Sequence, residues 1–242
     1  MKIVLMLLLN LNFLSCMEPE KKHPDFEYKK ALRLTKQGHR EEAKQILEQP
    51  EYANYVPAQT QLAFLCMQEQ NHERAKKILE PFSNSDYEPA LHNLANIYLH
   101  EGKLNPAKRL LQKAANNQFS ASIDLLAYVS FKMGDLDKAR QLYTQLVNKK
   151  DNAKLQKSAE RRLQQIDYIQ KVFPPIKNMA PTNPEQAIEL LQDAKLKNFP
   201  RALILLAELY CTQKKTNGPK KALTLLHKAV LPKYPELNIK AH

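Results

Sequence analysis

Alanine recurs at one fixed interval through the first two thirds of the chain, and the step from Ala31 to Ala63 sets that interval. A second alanine series and two series of larger apolar residues keep the same step. Several series with one step are hard to obtain by chance, so the chain is built from a repeated structural unit. The four series are Ala31, Ala63, Ala95, Ala127 and Ala159; Ala43, Ala75, Ala107 and Ala139; Leu62, Leu94 and Leu126; and Leu47, Leu79, Leu111 and Tyr143.

Each unit has the spacing of two helices joined by a tight turn. In the unit that starts at Leu91, apolar residues recur at i, i+3, i+4 and i+7, which places them on one helix face. Gly102 then permits the turn, and a second apolar face follows from Ala107. The chain has 4 glycines and is rich in Ala, Leu, Lys, Gln and Glu, which are good helix formers. We therefore predict an all-α fold of helix-turn-helix repeats.

These hairpins resemble the tetratricopeptide repeat. That family places a large apolar residue, a leucine, a small residue and an aromatic on its first helix, and small residues with a leucine or aromatic on its second. The resemblance implies a superhelical solenoid that binds other proteins, with four repeats over residues 26–151. The residues that carry it are Leu91, Leu94, Ala95, Tyr98, Ala107, Leu111 and Ala114 in one unit, Leu126, Ala127, Gly134, Ala139 and Tyr143 in the next, Leu62, Ala63, Ala75 and Leu79 before them, and Ala31, Gly38, Ala43 and Leu47 in the first.

The last third of the chain breaks the pattern. Residues 152–172 predict one helix, and the prolines that follow predict a joint that completes a segment at 152–183. Residues 184–198 predict another helix, and a hairpin with a longer turn completes the segment 184–231. This hairpin resembles the Sel-one-like variant of the same superfamily, and residues 232–242 are a tail. The prolines are Pro174, Pro175, Pro181 and Pro184, and the Sel-one-like resemblance rests on Leu206, Ala207, Tyr210, Ala222 and Ala229.

The segment 1–15 has the form of an export signal. Ile3 to Leu14 is mostly apolar but is shorter than the roughly 20 residues that span a bilayer. Phe13-Leu14-Ser15-Cys16 resembles the lipobox of bacterial lipoprotein precursors, with Phe13 in place of the usual leucine. The resemblance implies lipid on Cys16, a tether at 16–25 and, because Met17 rather than Asp follows, the periplasmic side of the outer membrane. An ordinary secretory signal and an uncleaved anchor remain as alternatives.

The resemblance to tetratricopeptide arrays also implies a concave groove lined by the first helices of the repeats. Helical geometry projects a mixed aromatic, aliphatic and polar set of residues onto it, which suits anchoring of a partner side chain. Packing between units is the alternative for the aromatic members. We predict no clamp for a C-terminal carboxylate, because Thr60, His92 and Asp124 stand where its first lysine is needed. The predicted groove residues are Tyr28, Phe64, Met67, His92, Asn96, Leu99, Asp124, Tyr128 and Phe131.

The sequence offers no recognisable catalytic or metal-binding motif. We find no phosphate-binding glycine loop, no HExxH and no GxSxG, and the seven histidines are scattered. Cys66 and Cys211 are far apart in the chain and are expected to be free thiols, buried or half-buried. We therefore predict no enzymatic activity, no cofactor and no metal ion.

These observations leave three hypotheses about what the chain binds and where. The leading hypothesis is a scaffold or adaptor protein, anchored in the membrane of the bacterial cell envelope, that binds other proteins. The alternative is a secreted repeat protein that binds a host protein. The net charge of +12 would also suit nucleic acid, but the charges are spread along the chain and an exported protein would seldom meet that ligand, so we disfavour it.

Overall fold

The computed structural model describes residues 24–149, 151–212 and 217–230, and every regular element in these ranges is helical. The predicted signal peptide, Cys16, most of the tether and the tail at 232–242 lie outside the described residues. The chain divides into two units, Met1–Ile78 and Leu79–His242, and each has its own hydrophobic cluster. Within the described ranges, no helix is both long enough and apolar enough to cross a bilayer.

The first unit consists of two pairs of helices. Its core is centred on the fully buried side chains of Ala31, Ala43, Leu47 and Tyr52. Helices α1 and α2 form a hairpin, and α2 packs on α3. The elements are α1 (Pro24–Gln37), α2 (Arg40–Leu47), a 3-10 turn (Pro50–Tyr52), α3 (Val56–Gln68) and α4 (His72–Leu79), whose last residue opens the second unit.

The second unit is a series of helices in which each packs on the next. Helices α5 and α6, α7 and α8, and α11 and α12 form hairpins, while α6 packs on α7, α8 on α9, α9 on α10 and α10 on α11. The fold class predicted from the sequence, all-α helix-turn-helix repeats, is therefore confirmed. After a 3-10 turn (Glu80–Phe82), the helices are α5 (Glu88–His100), α6 (Leu104–Asn116), α7 (Ser120–Lys132), α8 (Leu136–Lys149), α9 (Ala153–Met179), α10 (Pro184–Leu191), α11 (Pro200–Thr212) and α12 (Gly218–Val230).

Burial of the two alanine series explains why alanine keeps a fixed interval. A methyl side chain lets two helix backbones approach closely, and a larger side chain at these places would force the helices apart. The apolar partners at Leu47, Leu79, Leu111 and Tyr143 are buried as well, at 1% exposure or less. The alanines with zero exposure are Ala31, Ala43, Ala63, Ala75, Ala95, Ala107, Ala127, Ala139 and Ala159.

The same backbone motif ends the first helix of four hairpins. A residue with positive φ follows each helix, and the next N–H donates back to a carbonyl five residues earlier, which satisfies a helix end. These bonds are His39 N to Leu34 O (2.9 Å), Asn71 N to Cys66 O (2.9 Å), Lys103 N to Tyr98 O (2.8 Å) and Asp135 N to Ser130 O (2.9 Å). The donors follow one another at the same step as the alanines, so the turns repeat as strictly as the helix contacts.

The predicted joint at the prolines is wrong in one respect, because α9 continues through them to Met179. Pro174 and Pro175 cannot donate helical hydrogen bonds, and this normally ends a helix. Both prolines lie on the exposed side of α9. Water can therefore reach the two carbonyls that lose a partner, and the buried side chain of Ile176 keeps the helix packed.

The helix predicted over 184–198 is also wrong, since α10 ends at Leu191. Hydrogen bonds to Asp193 stabilise a non-helical backbone after this residue. Its carboxylate accepts one from the Lys195 N–H at 2.7 Å and one from the Tyr168 hydroxyl at 2.6 Å. A short polar side chain that bonds nearby backbone competes with helix in this way. The resulting loop, residues 192–199, buries Leu196 and Phe199 in the core of the second unit.

Candidate partner-binding surface

The nine predicted groove residues fall in both units, and three of them lie in the first. Tyr28 of α1 is half-buried and packs edge-on against Tyr55, with ring centroids 5.4 Å apart. Phe64 and Met67 of α3 are also half-buried. Each of these side chains therefore keeps some surface that a partner can contact, and their role in binding remains a prediction.

Three predicted residues of the second unit are buried and cannot contact a partner, so their assignment to a groove is wrong. His92 is 1% exposed, Leu99 2% and Phe131 1%. His92 packs edge-on against Phe119, and its Nδ1 lies 3.1 Å from Ser122 Oγ. Phe131 is covered by Phe199 from the 192–199 loop, with ring centroids 5.9 Å apart. These side chains hold the unit together.

The remaining three residues, Asn96, Asp124 and Tyr128, are half-buried. Asp124 and Tyr128 are one turn apart on α7, so they share one face of the helix. Two cations flank the Tyr128 ring: Lys132 Nζ and the guanidinium carbon of Arg162 each lie 5.7 Å from its centroid. We call Asp124, Tyr128, Lys132 and Arg162 the Tyr128 cluster.

Sequence reasoning missed the two cations of this cluster for different reasons. Lys132 follows Tyr128 by one helical turn and continues the same helix face, so helical projection could have included it. Arg162 comes from α9, which was predicted as an interrupting helix with no assigned face. Its position beside Tyr128 follows from the packing of α9 on α8 and α7, which the sequence pattern does not specify.

Neutral groups hold both cations in place. Lys132 Nζ donates to the Asn198 carbonyl at 3.2 Å, and Arg162 Nη1 donates to Gln165 Oε1 at 3.1 Å. Gln165 in turn donates to the Lys195 carbonyl at 2.9 Å. The 192–199 loop therefore forms one wall beside the Tyr128 cluster. The side chain of Lys195 contacts a different ring, with its Nζ 4.4 Å from the centroid of Tyr168.

Burial shifts the acid–base properties of the cluster. It raises the pKa of Asp124 to about 6, and the nearby Arg162 guanidinium opposes this shift. It lowers the pKa of Lys132, and the charge of Arg162 lowers it further. Burial also raises the pKa of Tyr143, and the negative charge of Asp124 raises it further. At pH 7 Asp124 is mostly ionised, so the cluster carries two positive charges and one negative charge.

Comparison with known families identifies the two hairpins next to this surface. Tetratricopeptide repeat models match residues 88–118, which hold α5 and α6, and residues 122–151, which hold most of α7 and α8. These two hairpins are therefore the part of the chain that matches the tetratricopeptide repeat. Three members of the Tyr128 cluster, Asp124, Tyr128 and Lys132, lie on the first helix of the second repeat, and Arg162 lies beyond it.

The other two comparisons were made with curated proteins and with solved structures. No curated protein matches the chain. Among solved structures, the chain is similar to the TPR-like repeats of a kinesin light chain from Podosopora anserina, with 17% identity over 86% of this chain and 96% of that one. The TM-score of that match is 0.42.

The described residues outside this surface show little that could support chemistry. They contain no group of three or more histidine, cysteine, aspartate or glutamate side chains that could hold a metal ion. Cys66 and Cys211 are free thiols, and burial raises the pKa of Cys66. The expectation of a buried or half-buried thiol is wrong for Cys211, which is exposed at the C-terminal end of α11.

Proposed function

We propose that the chain is a non-enzymatic scaffold or adaptor that binds another protein through the Tyr128 cluster. Tetratricopeptide repeats generally bind proteins, and three of the four cluster residues lie on the first helix of a hairpin that matches this repeat. The observation that carries the proposal is a half-buried tyrosine with two cations 5.7 Å from the centroid of its ring. Tyrosine and arginine are among the residues that contribute most binding energy when a partner removes water from them.

Copurification with a matched control tests this proposal. Full-length chain carrying Tyr128→Ala should lose the proteins that the parent chain retains, because the central ring of the surface is gone. Gln141→Ala is the control, since Gln141 is exposed on α8, away from the cluster. Circular dichroism should show equal helix content in all three chains. Recovery of the same proteins by Tyr128→Ala and Gln141→Ala would contradict the proposal.

We also propose that the scaffold is anchored in a bacterial envelope membrane by lipid on Cys16, the outer membrane being favoured over the inner. The support is the sequence Phe13-Leu14-Ser15-Cys16 after an apolar segment. Several acyl chains on one cysteine would give stable anchoring, at about 0.8 kcal/mol for each buried CH₂. The tether at 16–25 would then connect the lipid to α1.

Metabolic labelling with an alkyne fatty acid tests the anchor in a bacterial host. The parent chain should carry the label and sediment with membranes, and Cys16→Ser should do neither. An unlabelled parent chain released into the medium would instead support the alternative, a secreted repeat protein that binds a host protein. The longer turn and Sel-one-like resemblance of residues 200–230 are what favour that alternative.

A further inference from the structure

We propose that the Tyr128 cluster recognises an acidic side chain, an aspartate or glutamate, in the partner protein. This inference rests on the proposed function and specifies the chemistry of the partner. The carboxylate would lie beside the Tyr128 ring, between the ammonium of Lys132 and the guanidinium of Arg162.

The first support is that neither cation has a carboxylate within ion-pair distance in the described part of the chain. The polar atoms that Lys132 and Arg162 contact are the Asn198 carbonyl and the Gln165 amide oxygen, which are neutral. Arg140, on the neighbouring helix α8, differs: its Nη1 lies 2.6 Å from Asp167 Oδ1 of α9. Arg140 therefore has a close ion pair between these two helices, whereas the acid that interacts electrostatically with Arg162 is Asp124 of α7, which is not within ion-pair distance.

The second support is the electrostatic state of the cluster. Lys132 is half-buried, and both burial and the charge of Arg162 disfavour its charged form. Asp124 supplies one negative charge against the two positive ones. An incoming carboxylate would balance the excess charge in a partly desolvated place, where such interactions are stronger than in water. The planar guanidinium of Arg162 can also donate two parallel hydrogen bonds to it.

Ligands of other charge fit less well. A cationic side chain would compete with Lys132 and Arg162 for the Tyr128 ring, because both cations already lie near that ring. Nucleic acid binding draws its affinity from many phosphates neutralised along a track of cations. Two cations with Asp124 among them do not form such a track, whereas they match one acidic side chain.

The test is an array of synthetic decapeptides of random sequence, amidated at the C-terminus, probed with the full chain. Amidation removes the terminal carboxylate, so any acidic preference must come from side chains. We expect the retained peptides to be enriched in aspartate and glutamate over the input. Their dissociation constants should increase as NaCl rises from about 50 to 500 mM, because salt screens partly exposed charges.

Adjacent arginines provide a matched control. Arg162→Met should weaken binding of the retained acidic peptides about tenfold, the effect of losing a hydrogen bond between charged groups. Arg161→Met removes the same formal charge from an exposed position next in sequence and should leave binding within about twofold. Asp124→Asn should tighten binding, because it removes a negative charge beside the ligand.

The possible results distinguish a failure of the acidic preference from a failure of the proposed binding surface. Retention of neutral or basic peptides that Tyr128→Ala abolishes would overturn the acidic preference and leave the binding surface standing. Equal weakening by Arg161→Met and Arg162→Met would also overturn the inference, since general charge would then explain it. Preferred binding of a single-stranded oligothymidine DNA probe would do the same. Failure to retain any peptide would contradict both the inference and the proposed function.

Discussion

Gln70 has a left-handed backbone conformation at a turn where three other hairpins carry glycine. Its φ is 62°, and Gly38, Gly102 and Gly134 occupy the same place in their own hairpins, also with positive φ. A side chain in this conformation costs roughly 1–2 kcal/mol relative to glycine. The chain tolerates this cost because the turn is fixed by the bond from the Asn71 N–H to the Cys66 carbonyl.

Gln70→Gly should therefore increase the free energy of unfolding, by about 0.5–1 kcal/mol after the greater entropy of the unfolded chain is subtracted. The reciprocal change, Gly102→Ala, should lower it by about 1 kcal/mol, since nothing lies within 4 Å of the added methyl and only the backbone is strained. Urea denaturation measures both. A loss of stability in Gln70→Gly would show that its side chain is needed at the turn.

His92 and Asp124 should give the stability of the chain opposite dependences on pH. Burial lowers the pKa of His92 to about 4, below its unfolded value of 6.5. Stability is then complete above pH 6.5 and falls on acidification, because the unfolded chain takes up a proton that the folded chain does not. Burial raises the pKa of Asp124 to about 6, above its unfolded value of 3.8, so this contribution to stability is present below pH 3.8 and lost as pH rises through 6.

The measurement is the free energy of unfolding at pH 7 and pH 5 in the parent chain and two variants. Ionisation of His92 should lower the free energy of unfolding of the parent chain by about 2 kcal/mol between pH 7 and pH 5, and this decrease should be absent in His92→Gln. Protonation of Asp124 should raise the free energy of unfolding of the parent chain by about 1 kcal/mol over the same interval, and this increase should be absent in Asp124→Asn. Changes of the same sign in both variants would contradict the burial assigned to one of them.

The sequence predicted single residues well where one rule decides their environment. The alanine series and three of the four turn residues are cases in which size or backbone conformation permits little else. His92, Leu99 and Phe131 were misassigned because projection on one helix cannot show what packs over it. Phe131 is covered by Phe199, which comes much later in the chain, from a segment that was predicted as helix and forms a loop.

At the scale of elements, two helices depart from what their own sequences predict. Packing against other elements keeps α9 helical through its prolines, and hydrogen bonds to a nearby side chain end α10 early. Prolines inside α9 do not end the helix, because Phe173 packs edge-on against Phe199 and Ile176 is buried. Conversely, a run with good helical spacing ends early at Leu191, because Asp193 bonds to Lys195 and Tyr168. Rules based on proline and on helical periodicity do not include these contacts, so the joint predicted at 173–183 could not be placed correctly from the sequence.

Leu111 and Leu226 form a matched pair that measures what packing contributes to an element. Each follows a buried alanine by one helical turn, but Leu111 is fully buried under α7 whereas Leu226 is 38% exposed. Leu111→Ala should therefore cost about 2–4 kcal/mol of unfolding free energy, and Leu226→Ala less than about 1 kcal/mol. Similar costs, measured by urea denaturation, would show that Leu226 is covered in solution.

At the scale of the whole molecule, a repeated helical hairpin underlies the fold, and two cations beside a tyrosine are the basis of the proposed function. The two hairpins that match tetratricopeptide repeat models supply a regular framework in the second unit. Some surface charges pair across neighbouring elements, as in Lys44 with Glu69 at 3.0 Å. In the Tyr128 cluster, two cations instead lie beside a tyrosine. The sequence predicted Asp124 and Tyr128 for this surface, but Arg162 depends on how α9 packs.

The most direct test of the proposed binding surface is the affinity of the copurified partner for the parent chain and for Tyr128→Ala, measured by isothermal titration calorimetry. We predict a loss of at least about tenfold in Tyr128→Ala, since removing a central aromatic costs about 2 kcal/mol or more. Gln141→Ala should bind as the parent does. Equal affinities for all three chains would contradict the claim that the Tyr128 cluster is the surface through which this protein binds its partner.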